Sequence, residues 1–133
     1  MILVDSSIWI QCLRQHDVHA QKMNRYLRTV AKDIVTTGII LMEVVQGIKD
    51  ETSHARVSEE LTSLPVLPIR NPETYLRASS IYRLCRKNGI TIASTIDTIL
   101  AAVAMENDAE ILSLDEDFHM IAKIIDLKLH PLP

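Results

Sequence analysis

Four carboxylates stand at positions where side chains can do chemistry on a shared ligand. Asp5 and Asp115 each follow an apolar, β-rich run, whereas Glu43 and Asp97 lie early in apolar helical patterns. Carboxylates that are brought together repel one another and raise at least one pKa, so their clustering is expected mainly where a cation is shared. Oxygen ligands without histidine or cysteine favour Mg²⁺ or Mn²⁺ over zinc. The residue types therefore predict a divalent-metal site.

Short strands that alternate with helices must position these carboxylates. The predicted strands cover residues 1–4, 34–37, 65–69, 110–113 and, as a possible last strand, 125–129. Such alternation is typical of a parallel sheet that helices cover on both faces. In open sheets of this kind the ligand lies outside the carboxyl ends of the strands. We therefore predict one three-layer α/β/α domain, residues 1–133, with a mainly parallel sheet of four to five strands.

Each carboxylate also has an ordinary structural explanation when it is taken singly. Asp5 can cap a helix, and the helix dipole favours Asp97 in a first turn. Glu43 can be a solvated helix position, and Asp115 can be an ordinary residue at a helix start. The joint pattern of all four is what favours a metal site over these separate explanations.

A long helix is predicted after Asn71-Pro72, because proline favours a first helical turn. Its buried stripe is predicted to run through Tyr75, Ala78, Tyr82 and Cys85. The apolar helices, this stripe included, present more surface than one copy is expected to cover. Such surface can be buried against a second copy of the chain.

Composition limits the classes of protein to which the chain can belong. The 47% hydrophobic and 23% charged residues are ordinary for a folded globular domain. The net charge of −3 argues against a basic nucleic-acid coat protein. The apolar stretches are shorter than the roughly 20 residues that span a bilayer, and the amino terminus does not resemble a signal peptide. A cytoplasmic protein without a membrane partner is expected.

Four segments of this chain resemble, in order, the motifs of PIN-domain ribonucleases, especially the VapC-type toxins. The first three surround Asp5, Glu43 and Asp97, and the fourth carries both Asp115 and Asp117. The segments are Leu3-Val4-Asp5-Ser6-Ser7-Ile8-Trp9-Ile10, Leu41-Met42-Glu43-Val44-Val45-Gln46-Gly47, Ser94-Thr95-Ile96-Asp97-Thr98-Ile99-Leu100-Ala101-Ala102 and Ser113-Leu114-Asp115-Glu116-Asp117-Phe118.

The resemblance implies a metal-dependent endoribonuclease that is the toxin of a toxin–antitoxin pair. Asp5 and Asp97 are then the first choices for direct Mg²⁺ ligands, with Mn²⁺ as a possible substitute. Glu43 and Asp115 complete the shell or orient water, and Asp117 is a second-metal or supporting carboxylate. The partners implied are RNA, a VapB-like antitoxin and a second copy of the chain.

The same resemblance implies roles for residues around the carboxylates. Ser6 or Ser7 would add a hydroxyl to the site. Independently of the resemblance, Arg83 and Arg86 lie near a helix carboxyl end, where cations also stabilise the helix dipole. They are candidate RNA-binding residues that would flank the metal site of the other subunit in a dimer. Ile40 departs from the family's pattern, because a threonine often stands there, and Thr37 or Gly38 is expected to begin the helix instead.

Three alternative functions remain at this point. One is a stand-alone PIN nuclease that processes RNA. Another is a receiver-like signalling module that binds Mg²⁺ without hydrolysing RNA, but its aspartate after the third strand is missing beyond Pro68-Ile69-Arg70. A haloacid dehalogenase-like phosphatase requires an aspartate two residues after Asp5, where Ser7 stands.

Overall fold

The computed structural model describes residues 1–14 and 16–133, in which short parallel strands are connected through helices. The strands and helices in chain order are β1 (Ile2–Val4), α1 (Ser6–Cys12), α2 (Val18–Thr29), β2 (Ile34–Val35), α3 (Gly38–Val45), α4 (Glu51–Thr62), α5 (Glu73–Lys87), α6 (Thr95–Glu106), β3 (Glu110–Leu112) and α7 (Glu116–Ala122). A 3₁₀ turn, Ala31–Asp33, precedes β2.

The sheet has the order β2-β1-β3, with β1 in the centre and both pairings parallel. Leu3 is in register with Val35 on one side and with Ile111 on the other. The carboxyl ends of the strands therefore meet at one edge, and this edge leads into α1, α3 and the segment before α7.

The prediction of four to five strands is wrong, because the described residues form a sheet of three. The segment 65–69 contributes a single bridge, Val66 to Thr36, and the segment 125–129 a single bridge, Leu129 to Ile111. Pro65 and Pro68 have no N–H to donate, which keeps the first segment from extending its ladder. Pro131 limits the last segment in the same way, directly after His130 N donates to Ile111 O at 2.8 Å.

Helices bury both faces of the sheet. Ile2 and Val4 point to one face, where they pack with Ile8 of α1 and with Met23 and Leu27 of α2. The opposite face carries a larger cluster that is built from β-strand residues and the later helices. Its buried members include Leu3, Val35, Ile40, Val44, Ala78, Cys85, Leu100, Ala101, Ile111 and Phe118.

Helix α6 is buried along nearly its whole length, with Leu100 to Ala104 all at most 1% exposed. It packs extensively against α5. The predicted stripe of α5 is partly wrong, because the buried residues are Thr74, Ala78, Ile81 and Cys85, whereas Tyr75 is 47% exposed.

The hydrogen bonds of Thr74 explain which side of α5 is buried. Its hydroxyl accepts from Arg70 N at 2.8 Å and donates to Glu106 Oε2 at 3.1 Å, which turns the helix toward α6. In the described part of the chain every helix is too short to span a bilayer, the longest being α5 with 15 residues.

Candidate metal centre

Asp5 lies at the carboxyl end of the central strand and begins α1 as its N-cap. Its backbone N–H donates to Leu112 O at 2.9 Å, which continues the pairing with β3. Its Oδ2 accepts hydrogen bonds from Ser7 Oγ at 2.6 Å and from Ser113 Oγ at 2.7 Å. The side chain is therefore held in one orientation, and the residue is only 5% exposed.

The two serine hydroxyls also position the segment that carries the later carboxylates. Ser113 Oγ accepts from Asp115 N at 2.9 Å, and Ser7 Oγ accepts from Leu114 N at 3.1 Å. No role for Ser113 was predicted from the sequence motifs. The signal that identifies it is its position one residue beyond β3, where the strand register places it beside Asp5.

Asp97 lies in the first turn of α6 and is only 6% exposed. Burial is the main cause that raises the pKa of Asp97 to about 8; a hydrogen bond with Asp117 and the charges of Asp115, Asp5 and Asp117 add to it. Its Oδ2 is buried and has no hydrogen-bond partner among the described residues. Without a cation, the carboxyl group is therefore mostly protonated at neutral pH.

Asp115 and Asp117 lie on either side of the first residue of α7. Asp115 is the N-cap, and its Oδ1 accepts from Asp117 N at 2.9 Å. Asp117 Oδ2 accepts from Ala93 N at 3.1 Å and from Ser94 N at 3.4 Å, which attaches the segment before α6 to α7. This contact fixes the position of α6, and with it Asp97, relative to the 113–117 segment.

Glu43 approaches Asp5 from α3. Burial and the charge of Asp5 raise the pKa of Glu43, and a hydrogen bond with the Ser6 side chain partly opposes the rise. Its Oε1 is buried without a hydrogen-bond partner among the residues described. Helix α3 has Thr37 as N-cap and begins at Gly38, so the expected start of this helix is confirmed.

The structure gathers all five predicted carboxylates at the carboxyl edge of the sheet. Ligand atoms of Asp97, Asp115 and Asp117 lie within 4.8 Å of one another, as a cation site requires. Asp5 interacts electrostatically with both Asp97 and Glu43, which connects the remaining two carboxylates to this group. Like charges and buried oxygens without partners fit a divalent cation, because it satisfies both at once.

Comparison with known proteins identifies the family of this chain. The sequence description of the PIN-domain family matches residues 2–124. Ribonuclease VapC11 of Mycobacterium tuberculosis and a VapC ribonuclease of Mycobacterium bovis are each 33% identical over 129 residues, which cover 96% of this chain and 96% of theirs. The chain belongs to the VapC-type PIN-domain family. The family that the sequence motifs indicated is thereby confirmed.

Solved structures share the fold at lower sequence identity. VapBC2 of Rickettsia felis, bound to a DNA fragment from its promoter, has a TM-score of 0.75 at 18% identity and 98% coverage of both chains. FitAcB of Neisseria gonorrhoeae has a TM-score of 0.74 at 16% identity and covers 98% of this chain and 97% of its own. VapC20 of Mycobacterium tuberculosis, described as a toxin that cleaves the sarcin–ricin loop, has a TM-score of 0.68 at 17% identity and covers 96% and 98%.

The two residues of this PIN domain that were predicted to bind RNA lie outside the carboxylate cluster. Arg83 and Arg86 are exposed in the last turns of α5. Their role in RNA binding stays a prediction.

Proposed function

We propose that this protein is a divalent-metal-dependent endoribonuclease and the toxin of a toxin–antitoxin pair. The observation that carries the proposal is the buried Asp97 carboxyl, which has an oxygen without a partner and lies against Asp115 and Asp117. A cation would compensate the negative charges of these carboxylates and would satisfy the oxygen that has no partner. The curated relatives at 33% identity are named ribonucleases, so RNA is the proposed substrate.

Five carboxylates are assigned to the cation. Asp5, Glu43, Asp97 and Asp115 are proposed as catalytic residues, and all of them, together with Asp117, as metal ligands or their immediate supports. Mg²⁺ is the proposed cofactor and Mn²⁺ a substitute, because the candidate ligands are all carboxylate oxygens. When bound, the cation polarises the scissile phosphate and lowers the pKa of a bound water.

The chain's own residues orient this chemistry. The Ser7 and Ser113 hydroxyls hold Asp5 Oδ2, which leaves the other oxygen of Asp5 for the cation. The Ser6 side chain lowers the pKa of Glu43 and so favours its charged form. The Asp117 carboxylate accepts from the backbone N–H groups of Ala93 and Ser94. These contacts keep Asp97 of α6 close to Asp115 and Asp117.

The antitoxin partner is proposed by analogy with the VapBC2 complex and from a groove on this chain. The groove has a volume of about 1040 Å³ and separates the α1–α2 pair from the α3–α4 pair. Apolar side chains line it, and the cations at its rim outnumber the acids Asp50 and Glu60. An amphipathic antitoxin segment with acidic flanks fits this surface; the groove residues that bear on it are Trp9, Leu27, Val44, Leu61, Arg25, Arg28, Lys49 and Arg56.

We further propose that residues 1–133 form one PIN domain that acts as a homodimer. The exposed Tyr75, Leu76 and Leu84 on α5 supply apolar surface for a second copy. Arg83 and Arg86 on the same helix would then flank the partner's metal site and contact RNA phosphates.

RNA cleavage by the purified protein tests the proposed function. We expect cleavage with Mg²⁺ or Mn²⁺, its loss on chelation, and its loss in Asp5→Asn and Asp97→Asn, because an amide is a poorer ligand than a carboxylate. Asp33→Asn is the matched control, since Asp33 is exposed in the turn before β2. Cleavage at the wild-type rate by Asp97→Asn, or in the presence of chelator, would refute the metal-dependent mechanism.

A further inference from the structure

Thr37 carries a buried hydroxyl that the functions above leave unexplained. The residue is 0% exposed, and its Oγ1 has no hydrogen-bond partner among the described residues. Although Thr37 is the N-cap of α3, its side chain makes no capping hydrogen bond. A buried hydroxyl without a partner destabilises the folded state, so a native protein that retains one calls for an explanation.

The strand register, continued two residues beyond the last pair Leu3 and Val35, leads to Asp5 and Thr37. Leu3 of β1 pairs with Val35 of β2, and both side chains belong to the same hydrophobic cluster. Asp5 and Thr37 follow these residues by two positions in extended backbone, with φ/ψ of −66°/155° and −143°/159°. Because side chains alternate along a strand, both residues continue on the face that α3 and α6 cover.

Two further buried oxygens without partners belong to the carboxylates of that face. They are Glu43 Oε1 on α3 and Asp97 Oδ2 on α6. Buried oxygens of this kind are ordinarily satisfied by an ordered water or an ion, and a buried water typically has about three polar partners. A hydroxyl can donate to and accept from such a water, whereas ionised carboxylates only accept.

We infer that Thr37 is a positioning residue whose hydroxyl holds a water of the cation's shell next to Asp5. This inference rests on the proposed metal-dependent function, because it assigns the water to the same cation. Removal of such an outer partner typically lowers metal affinity 10- to 100-fold. Thr36 provides a matched control: its hydroxyl is also buried and without a partner among the described residues, but it lies one residue earlier and therefore on the opposite face.

Mn²⁺ titration of the purified protein, followed by calorimetry and by the shift in melting temperature, tests the inference. We expect Thr37→Val to weaken Mn²⁺ binding about 10-fold. Thr37→Ser should restore most of the affinity, and Thr36→Val should leave it unchanged. Both valine variants should melt higher than the wild type without metal, because each removes a buried hydroxyl that has no partner.

The alternatives give different results. Unchanged affinity in Thr37→Val, or an equal loss in Thr36→Val, would overturn the role of Thr37. Thr37→Ala serves as a second variant if the extra methyl group of valine disturbs the fold. Asp97→Asn in the same titration tests the metal site itself, because wild-type affinity there would refute the proposed function rather than the role of Thr37 alone.

Discussion

The two ends of α6 each bury a carboxylate, and their surroundings differ in charge. Glu106, in the last turn, has a side chain that is 6% exposed and accepts from Thr74 Oγ1, while Arg77 Nε lies 3.4 Å from its Oε1 without hydrogen-bond alignment. Asp97, in the first turn, is only 6% exposed as a whole residue and faces Asp115, Asp117 and Asp5. The cation Arg77 therefore lies beside Glu106, whereas the charges that act on Asp97 are negative.

This difference distinguishes Glu106, whose charge the fold itself compensates, from Asp97, which we propose as a metal ligand. Burial of a charge is costly unless a partner compensates it. At Glu106 the compensation comes from α5, so the group contributes to the packing of α5 on α6. At Asp97 every neighbouring charge has the same sign, which a folded protein tolerates where an exogenous cation binds.

The largest expected effect separates the two ends of the helix by mutation. Asp97→Asn should abolish RNA cleavage and raise the melting temperature of the metal-free protein, because it removes a carboxyl whose charged form is disfavoured by burial and by the neighbouring negative charges. Glu106→Gln should retain cleavage and lose about 1 kcal/mol of stability, since the amide still accepts from Thr74 but no longer pairs with Arg77. Cleavage assays and chemical denaturation of both variants measure this contrast, which would break down if Glu106→Gln were inactive and fully stable.

A second expected effect compares a hydroxyl at the proposed metal site, that of Ser113, with the hydroxyl of Thr74 at Glu106. Ser113→Ala removes a donor to Asp5 and an acceptor for Asp115 N, so metal affinity should fall about 10- to 100-fold. Thr74→Val leaves Arg70 N and Glu106 without their partner and should cost about 1–3 kcal/mol of stability without changing metal affinity. Equal metal affinities in Ser113→Ala and the wild type would remove Ser113 from the site.

The smallest expected effect is the dependence of stability on pH in the absence of divalent metal. The pKa of Asp97 is raised from 3.8 to about 8 on folding, so the folded protein binds more protons than the unfolded chain between these values. Its contribution to stability is therefore present at low pH and is lost as the pH rises toward and through 8. Melting curves in chelator at pH 6 and pH 8.5 should show a decrease that is smaller in Asp97→Asn; parallel curves for the two proteins would contradict the raised pKa.

Much of the site was predictable from the sequence because its carboxylates occur in ordered local motifs. Asp5, Glu43, Asp97, Asp115 and Asp117 all lie at strand ends or helix starts, and topology brings such positions together. Ser113 was harder to identify, because its contact with Asp5 becomes visible only when the strand register brings the two residues together.

The two errors in the predicted fold have different origins. The β-rich run at 65–69 predicted a strand, but Pro65 and Pro68 reduce it to a bridge at Val66. In α5, the spacing of apolar residues allowed a stripe through Tyr75 and Tyr82. The contact of Thr74 with Glu106 selects a different phase, and helical periodicity alone does not contain that contact.

Proton release on metal binding tests the central claim most directly. If Asp97 is the buried carboxyl that binds the cation, it must lose its proton when Mn²⁺ binds at pH 7, because a ligand carboxylate is ionised. Calorimetric titration in buffers of different ionisation enthalpy should therefore show release of about one proton per Mn²⁺ in the wild type, and neither tight binding nor release in Asp97→Asn. Mn²⁺ binding of equal affinity in both proteins, with no proton released, would contradict the account.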